Sequence, residues 1–436
     1  MKRFLVCFVL GLCLLGGWVF SLSDLFRKDD SGVKIEYYTN LAEEQAALGG
    51  YGLAADCYQN IIKLQDSVEA RLKLADMYMQ AGFTSEYKDT LESLIAAFPQ
   101  DARGYEALAG YYDSVQDHSD CVAVVRQAYS AGAGTESLRE LYYQHTYSFV
   151  FLRGSYESAA PMKYGTSVVA SDGVYGMLNS SGDLAHNATY TQLSPSCGEL
   201  TACKNNEASG FISTDGKWYI VLKDGFDKAY SFHEGFAVVF RDGKAEYIDR
   251  SGTSRLGPFE DATGFSNGVA AVKSDGAWRL IDTSGAYLTS DQFEDIKVDA
   301  YGLCSSEEVI FVKQNGAWKL IDLEGVPCSD LTFEDAYPFF DGTMAAICID
   351  GKWGFLKKDG TLALEPTFDG ATSFGKGMAA VLKDSKWGYI DTAFRMVIEP
   401  QFSEAGPFSI CGVAPVKLDG NWRFIKLSVQ GDDASW

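Results

Sequence analysis

The chain has 436 residues, with 37 Lys and Arg against 59 Asp and Glu and a formal charge of −22. So large an acidic surplus excludes nucleic acid and anionic lipid surfaces as partners, because phosphate recognition needs concentrated Lys and Arg. Apolar residues at 47% and charged residues at 22% exclude general disorder, while 44 Gly, 14% aromatics and only 10 Pro point to many short strands and tight turns.

The first element is an export or anchoring signal. Lys2 and Arg3 precede an uncharged stretch, residues 4–23, that is apolar throughout 4–20. About twenty helical residues span roughly 30 Å, the thickness of a hydrocarbon core. The basic pair favours a cytoplasmic N-terminus, so residues 1–24 are expected to act as a signal anchor with the bulk of the chain extracytoplasmic. A cleaved signal peptide is the alternative, with Ser21-Leu22-Ser23 as the small-residue site and a secreted product. An oxidising compartment would permit a Cys197–Cys203 disulfide. The ten Cys form no C-x-x-C pair and the four His are widely spaced, so no zinc site is expected.

Residues 34–150 read as helical. Leu41-Ala42, Leu74-Ala75 and Leu108-Ala109 recur at spacings of 33 and 34, and Tyr78 is followed by Tyr112 at 34. Each pair is followed by a second apolar run at helical spacing, and Gly49-Gly50, Gly82 and Pro99 punctuate the halves. On these residues the segment resembles the tetratricopeptide repeat family, in about three degenerate units. The resemblance implies a peptide-binding concave surface or a docking spacer. No basic carboxylate clamp is visible.

Residues 160–427 repeat a different unit, and 428–436 form a tail. Trp278, Trp318, Trp353, Trp387 and Trp422 are separated by 40, 35, 34 and 35 residues, most preceded by Asp-Gly or Asn-Gly. Weaker copies are Asp172-Gly173 with Tyr175, Asp215-Gly216 with Trp218, and Asp242-Gly243 with Ala245, making eight units. A second marker, Phe followed three later by Ala, recurs at Phe226, Phe259, Phe333, Phe368 and Phe402, with Phe293 carrying Ile296 instead. Asp-Gly and Asn-Gly suit two-residue hairpins, whose central positions both need positive φ. Within residues 377–402 the hairpin is apolar on both faces, so each face needs a cover, and the neighbouring copy is the natural one.

Runs such as Gly351-Lys352-Trp353-Gly354-Phe355 and Lys386-Trp387-Gly388-Tyr389-Ile390-Asp391 resemble the WG-repeat family, also called KWG-repeat. The resemblance covers roughly 60% of the chain. Trp218, Trp278, Trp318, Trp353, Trp387 and Trp422 are therefore expected to be the structural signature of the repeat. The residue after Trp becomes Tyr219, Arg279, Lys319 or Arg423 in other copies, which suggests an outward-facing position. The fold class expected is thus multidomain α plus β: a signal helix, tetratricopeptide-like helices and an all-β array. Eight units favour a closed, propeller-like ring, with an open solenoid as the alternative.

Chemistry is sparse. Glu260-Asp261, Glu294-Asp295 and Glu334-Asp335 could suggest a glycosidase pair, but a slot repeated from unit to unit reads as turn residues. Asp249 and Asp282 begin short Gly-closed segments that read as turns rather than calcium loops. His233 occupies a repeat slot and is expected to be structural. No catalytic, cofactor or metal residue is assigned. The expected role is a non-catalytic, exported, membrane-anchored binding protein or scaffold whose partner is a protein, a peptide or a cell-wall glycan. Its specificity is expected in inserts at residues 184–210 and 305–308. The alternative is a hydrolase with its site in the central channel of a ring.

Overall fold

The computed structural model of the chain describes residues 31–340 and 342–428. The predicted export segment and the tail from 429 onward lie outside the described residues. Among those described, no helix is long and apolar enough to cross a membrane. The chain divides into two compact units between His145 and Thr146.

The first unit contains seven described helices: α1 (Ser31–Ala47), α2 (Tyr51–Leu64), α3 (Val68–Gln80), α4 (Thr84–Ala97), α5 (Ala102–Ser114), α6 (His118–Ser130) and α7 (Glu136–Thr146). Side-chain caps open several of them. Ser67 accepts from the Ala70 amide, Asp101 from that of Arg103 and Asp117 from that of Asp120, each satisfying an N–H that the first turn leaves without a partner. Of the recurrent small and apolar positions, Ala42, Leu74, Ala75, Leu108 and Ala109 are buried and Leu41 is half-buried. The tetratricopeptide resemblance of this unit continues to rest on its sequence.

The second unit is a β-propeller of eight blades. In chain order the blades run β2–β5 (Ser158–Ala159, Thr166–Ser171, Val174–Asn179, Leu184–Tyr190), then β6–β9 (Gln192–Leu193, Thr201–Lys204, Ser209–Ile212, Trp218–Val221), then β10–β13 (Lys228–Ala229, Ala237–Arg241, Lys244–Ile248, Ser254–Phe259). Blade 4 is β14–β16 (Asp261–Ala262, Val269–Ser274, Ala277–Asp282) and blade 5 is β17–β20 (Asp295–Ile296, Ser305–Ser306, Val309–Gln314, Ala317–Asp322). Blades 6 and 7 are β21–β24 (Asp335–Ala336, Met344–Ile349, Lys352–Lys357, Leu362–Phe368) and β25–β28 (Gly370–Ala371, Met378–Lys383, Lys386–Asp391, Met396–Phe402). Blade 8 combines β29–β31 (Glu404–Ala405, Val413–Leu418, Asn421–Leu427) with β1 (Phe149–Phe151), which pairs antiparallel with β31.

That last pairing closes the ring, and the packing follows it round. Alternate residues of a strand face opposite neighbours. In blade 7, Ala379, Val381 and Ile390 pack toward blade 6, while Met378, Ala380 and Tyr389 pack toward blade 8. A shared apolar cluster fills each of the eight interfaces. The last joins Met162, Val169 and Leu178 of blade 1 to Val413 and Phe424 of blade 8. An open solenoid would leave that interface bare, so the ring is the arrangement adopted.

The hairpin turns are those the dipeptides demand, with positive φ at Asp172, Asp242, Asp275, Asn315, Asp350, Asp384 and Asp419 and at the residue after each. Ser385 itself holds φ 62°. The second blade departs from the expected register. Trp218 lies on the outer strand β9, opposite Ile212, and Gly210 pairs with Cys203 at the position that Trp387 takes opposite Leu382. A Cβ at Gly210 would meet the Ile220 carbonyl oxygen at 2.0 Å, so this blade has no room for a side chain there. The slot series is therefore Tyr175, Gly210, Ala245, Trp278, Trp318, Trp353, Trp387 and Trp422, still eight.

The Gly that follows Trp has a physical cause of the same kind. A Cβ at Gly354 or Gly388 would approach the carbonyl oxygen of Leu364 or Ile398 to 2.5 Å, where the outer strand bulges inward. In blades 4 and 5 the outer strand is reduced to isolated bridges, Trp278 with Phe293 and Trp318 with Phe333. Arg279 and Lys319 are accommodated there.

Candidate functional site at the hub of the ring

Alternate connections of an up-and-down blade fall at opposite ends of the ring, so the turn between its first two strands sits near the axis at one end. Six residues after the recurrent Phe comes a second aromatic: Phe232, Phe265, Phe339, Phe374 and Phe408, each buried at 2% exposure or less. Blade 1 places Met162 in this series and blade 2 places Ser196, both buried. Blade 5 breaks it. Its residue is Asp299, and the chain then makes an extra excursion before returning to β18.

That excursion crosses the axis. The Tyr301 hydroxyl donates to the Pro161 carbonyl oxygen at 2.9 Å, joining blade 5 to blade 1, four positions round a ring of eight. Tyr301 and Leu303 form a buried cluster with Cys197 of blade 2, against Phe340 of blade 6. The Gly264 amide donates to the Gly302 oxygen at 2.7 Å, and the Thr263 hydroxyl to the Cys304 sulfur at 3.3 Å. Gly302 holds φ +83°, and a Cβ there would press to 2.4 Å from the Tyr230 ring. Only glycine fits.

Over this plug lies a small charged and aromatic group. The Lys163 ammonium is 5.6 Å from the ring centroids of both Tyr164 and Phe340 and 5.8 Å from that of Tyr301. Asp299 accepts from the amides of Tyr301 and Leu303 at 2.8 and 2.9 Å. Burial raises the Asp299 pKa above the usual carboxylate range, against the opposing pull of Lys163, those two amides and His233. The Cys197 thiol is pushed up to about 12, chiefly by burial and then by Asp299, so it stays protonated and unreactive. His233 sets Nδ1 at 2.7 Å from the Phe265 carbonyl oxygen, a tie between blades 3 and 4.

The tryptophans lie away from this hub, near the hairpins at the opposite end. Trp278 and Trp318 are buried, and Trp353, Trp387 and Trp422 are half-buried. Trp353 and Trp387 pair across strands with Phe368 and Phe402, so the two sequence markers are one contact. Lys297 holds its ammonium 4.4 Å from the Trp318 ring, and Trp353 stacks on Tyr337 at 5.1 Å. Trp218, out of register, is half-buried beside the blade 1–blade 2 cluster.

The paired carboxylates have a structural use. Glu260, Glu294 and Glu334 accept from the amides of Gly276, Gly316 and Gly351 at 3.1, 3.1 and 2.9 Å, each closing the hairpin of its own blade. Asp249 and Asp282 accept from amides two and four residues on, as turn-forming Asp residues do. Cys197 and Cys203 are both free thiols. The two presumed recognition inserts are framework: residues 184–210 supply β5 to β7 and the start of β8, and residues 305–308 supply β18 and its turn. Among the described residues, no cluster of three His, Cys, Asp or Glu is placed to hold a metal ion.

Sequence reasoning missed Asp299, Tyr301 and Lys163. The signal was present, because Asp299 interrupts a run of Phe at this position in blades 3, 4, 6, 7 and 8, next to the one long unit spacing.

Five segments of the chain match the WG containing repeat, residues 210–244, 247–278, 320–353, 353–387 and 387–422. Three of these WG repeats begin on a residue of the slot series, Gly210, Trp353 and Trp387. The matches lie wholly within the ring. No curated protein matches the chain. Among solved structures, a eukaryotic initiation factor is similar at 12% identity and TM-score 0.38, over 61% of this chain and 83% of that one. Hsv2 of Kluyveromyces lactis is similar at 9% and 0.35, over 59% and 93%. A chain of a mitotic checkpoint complex is similar at 10% and 0.33, over 65% and 94%. Superpositions this loose carry no argument about the present chain.

Proposed function

We propose that this chain is a non-catalytic, exported scaffold, tethered to the membrane through residues 4–23, that recognises a protein or peptide at the hub end of its ring. The observation that carries this reading is the Tyr301–Pro161 bridge, because it crosses the axis where a propeller hydrolase would keep a channel open for substrate. The hub turns also offer apolar contact area. Tyr164 of blade 1 and Ile410 of blade 8, on adjacent blades, are 46% and 63% exposed. Aromatic and aliphatic side chains on rigid turns suit recognition at low entropic cost. The WG repeats supply the frame on which these turns are held.

The test is a photo-crosslinking amino acid at position 164 of the full-length protein in its membrane. A discrete adduct with one envelope protein, weakened about tenfold by Ile410→Ser, is the expected result. An adduct pattern indifferent to that substitution would overturn the reading. So would release of sugars from cell-wall glycan that Asp299→Asn abolishes, which would reinstate the hydrolase.

A further inference from the structure

The helical unit carries two grooves that are copies of one another, and they differ in charge. The first, a cavity of about 390 Å³, is lined by Gln59, Ile62 and Lys63 of α2, Arg71, Leu74 and Tyr78 of α3, and Glu86, Asp89, Thr90 and Ser93 of α4. The second, about 500 Å³, includes Glu92, Ile95 and Ala96 of α4, Tyr105, Leu108 and Tyr112 of α5, and Asp120, Ala123, Val124 and Gln127 of α6. The first triplet repeats at a spacing of 33 and the other positions at 34. Leu74 and Tyr78 return as Leu108 and Tyr112, so the floor is kept.

The rim is not. In the first groove Lys63 and Arg71 balance Glu86 and Asp89. The Arg71 guanidinium grips Asp66 at 2.7 and 2.9 Å and donates to Ser93 at 2.5 Å, so the chain fills this groove with its own cation. In the second groove Lys63 becomes Ala96, Arg71 becomes Tyr105 and neutral Gln59 becomes Glu92. Glu92 and Asp120 remain as its two formal charges, and both bear on the Tyr112 phenol, whose pKa is raised by burial first and then by Asp120 and Glu92. Lys88, outside the lining, holds its ammonium 6.0 Å from the Tyr112 ring and offsets part of this rim. The surrounding field has the same sign, with 8 Lys and Arg against 17 Asp and Glu between residues 31 and 145.

We infer that the second groove binds an arginine side chain of a basic partner peptide, the guanidinium replacing the cation that the first groove takes from its own chain. The aromatic face of Tyr112 and the carboxylates of Glu92 and Asp120 supply stacking and charge-assisted hydrogen bonds, which a planar guanidinium uses better than an ammonium. This inference concerns the helical unit alone and stands or falls separately from recognition at the hub.

The test uses the full-length chain and a fluorescein-labelled peptide of alternating arginine and glycine, read by anisotropy. Glu92, Ala96 and Asp120 are exposed, so substitutions there spare the fold. Glu92→Gln and Asp120→Asn should each weaken binding roughly fivefold, and Ala96→Lys roughly tenfold. Lys88→Gln should tighten it. Asp89→Asn, which removes one negative charge from the self-neutralised first groove, should leave it unchanged. Equal weakening by Asp89→Asn and Glu92→Gln would mean attraction to overall charge only and would overturn the inference, as would equal affinity for a lysine–glycine peptide.

Discussion

Blade 7 and blade 5 are built on the same hairpin, yet they treat the axis in opposite ways. Blade 7 follows its first strand with Phe374, a ring buried 4.8 Å from Phe355, and turns straight back into β26. Blade 5 puts Asp299 at that position and sends Tyr301 through the hub to Pro161. Seven blades thus cover the axis from the side, and one reaches across it. The lesson is that a repeat can vary at one copy without loss of the ring, provided the departure satisfies its own polar groups. Asp299 does so by accepting from two amides of the excursion it begins.

The largest expected effect tests the regular half of this comparison. Phe374→Ala should cost about 3–5 kcal/mol, since its ring is fully buried in the blade 6–blade 7 interface and the closed ring limits collapse around the cavity. Urea unfolding of the full chain measures it. A cost under about 1 kcal/mol would mean that the interface relaxes freely and that closure does not hold the blades in place.

The next effect tests the irregular half. Tyr301→Phe keeps the ring that packs against Cys197 and Leu303 but removes the hydroxyl donated to Pro161, leaving that carbonyl without this partner. The expected loss is about 1–2 kcal/mol by the same measurement. No loss would show that the plug is held by packing alone, through the cluster of Tyr301 and Leu303 with Cys197.

Much of this comparison is legible in the sequence. The slot spacing, the Asp-Gly hairpins and the two apolar faces of residues 377–402 led to eight mutually covering units, because each signal is local and is repeated. The second blade misled for the same reason. Asp215-Gly216 with Trp218 imitates the motif, but it forms a turn one strand later, and the true slot residue, Gly210, has no side chain to announce it. The hub was legible only in part. Asp299 can be read as a break in the Phe series, but the groups around it, Lys163, Cys197 and His233, come from blades 1, 2 and 3, far away in the chain, and no local pattern encodes them. The insert at 305–308 reads from sequence as a recognition insert because length alone does not say whether extra residues turn outward or in.

The smallest effect bears on what it costs blade 5 to differ, and its sign can be worked out. Burial holds the Asp299 pKa above its unfolded value, so between the ordinary carboxylate range and the raised folded value the native state keeps a proton that the unfolded chain has lost. Stability therefore falls as pH rises through that window and stays lower at neutral pH. Asp299→Asn keeps an oxygen to accept from the Tyr301 and Leu303 amides while removing the charge. The variant should melt higher than the parent at pH 7 by about one or two degrees, and the difference should shrink toward zero as the pH is lowered through the carboxylate range. His233 and Lys163 face the same carboxyl from blades 3 and 1, and their attraction works against this gain. A variant that melts lower than the parent at pH 7, with the deficit vanishing in acid, would show that the pairing with Lys163 outweighs burial. The hub charge would then be a stabilising contact in its own right rather than a tolerated departure from the Phe series.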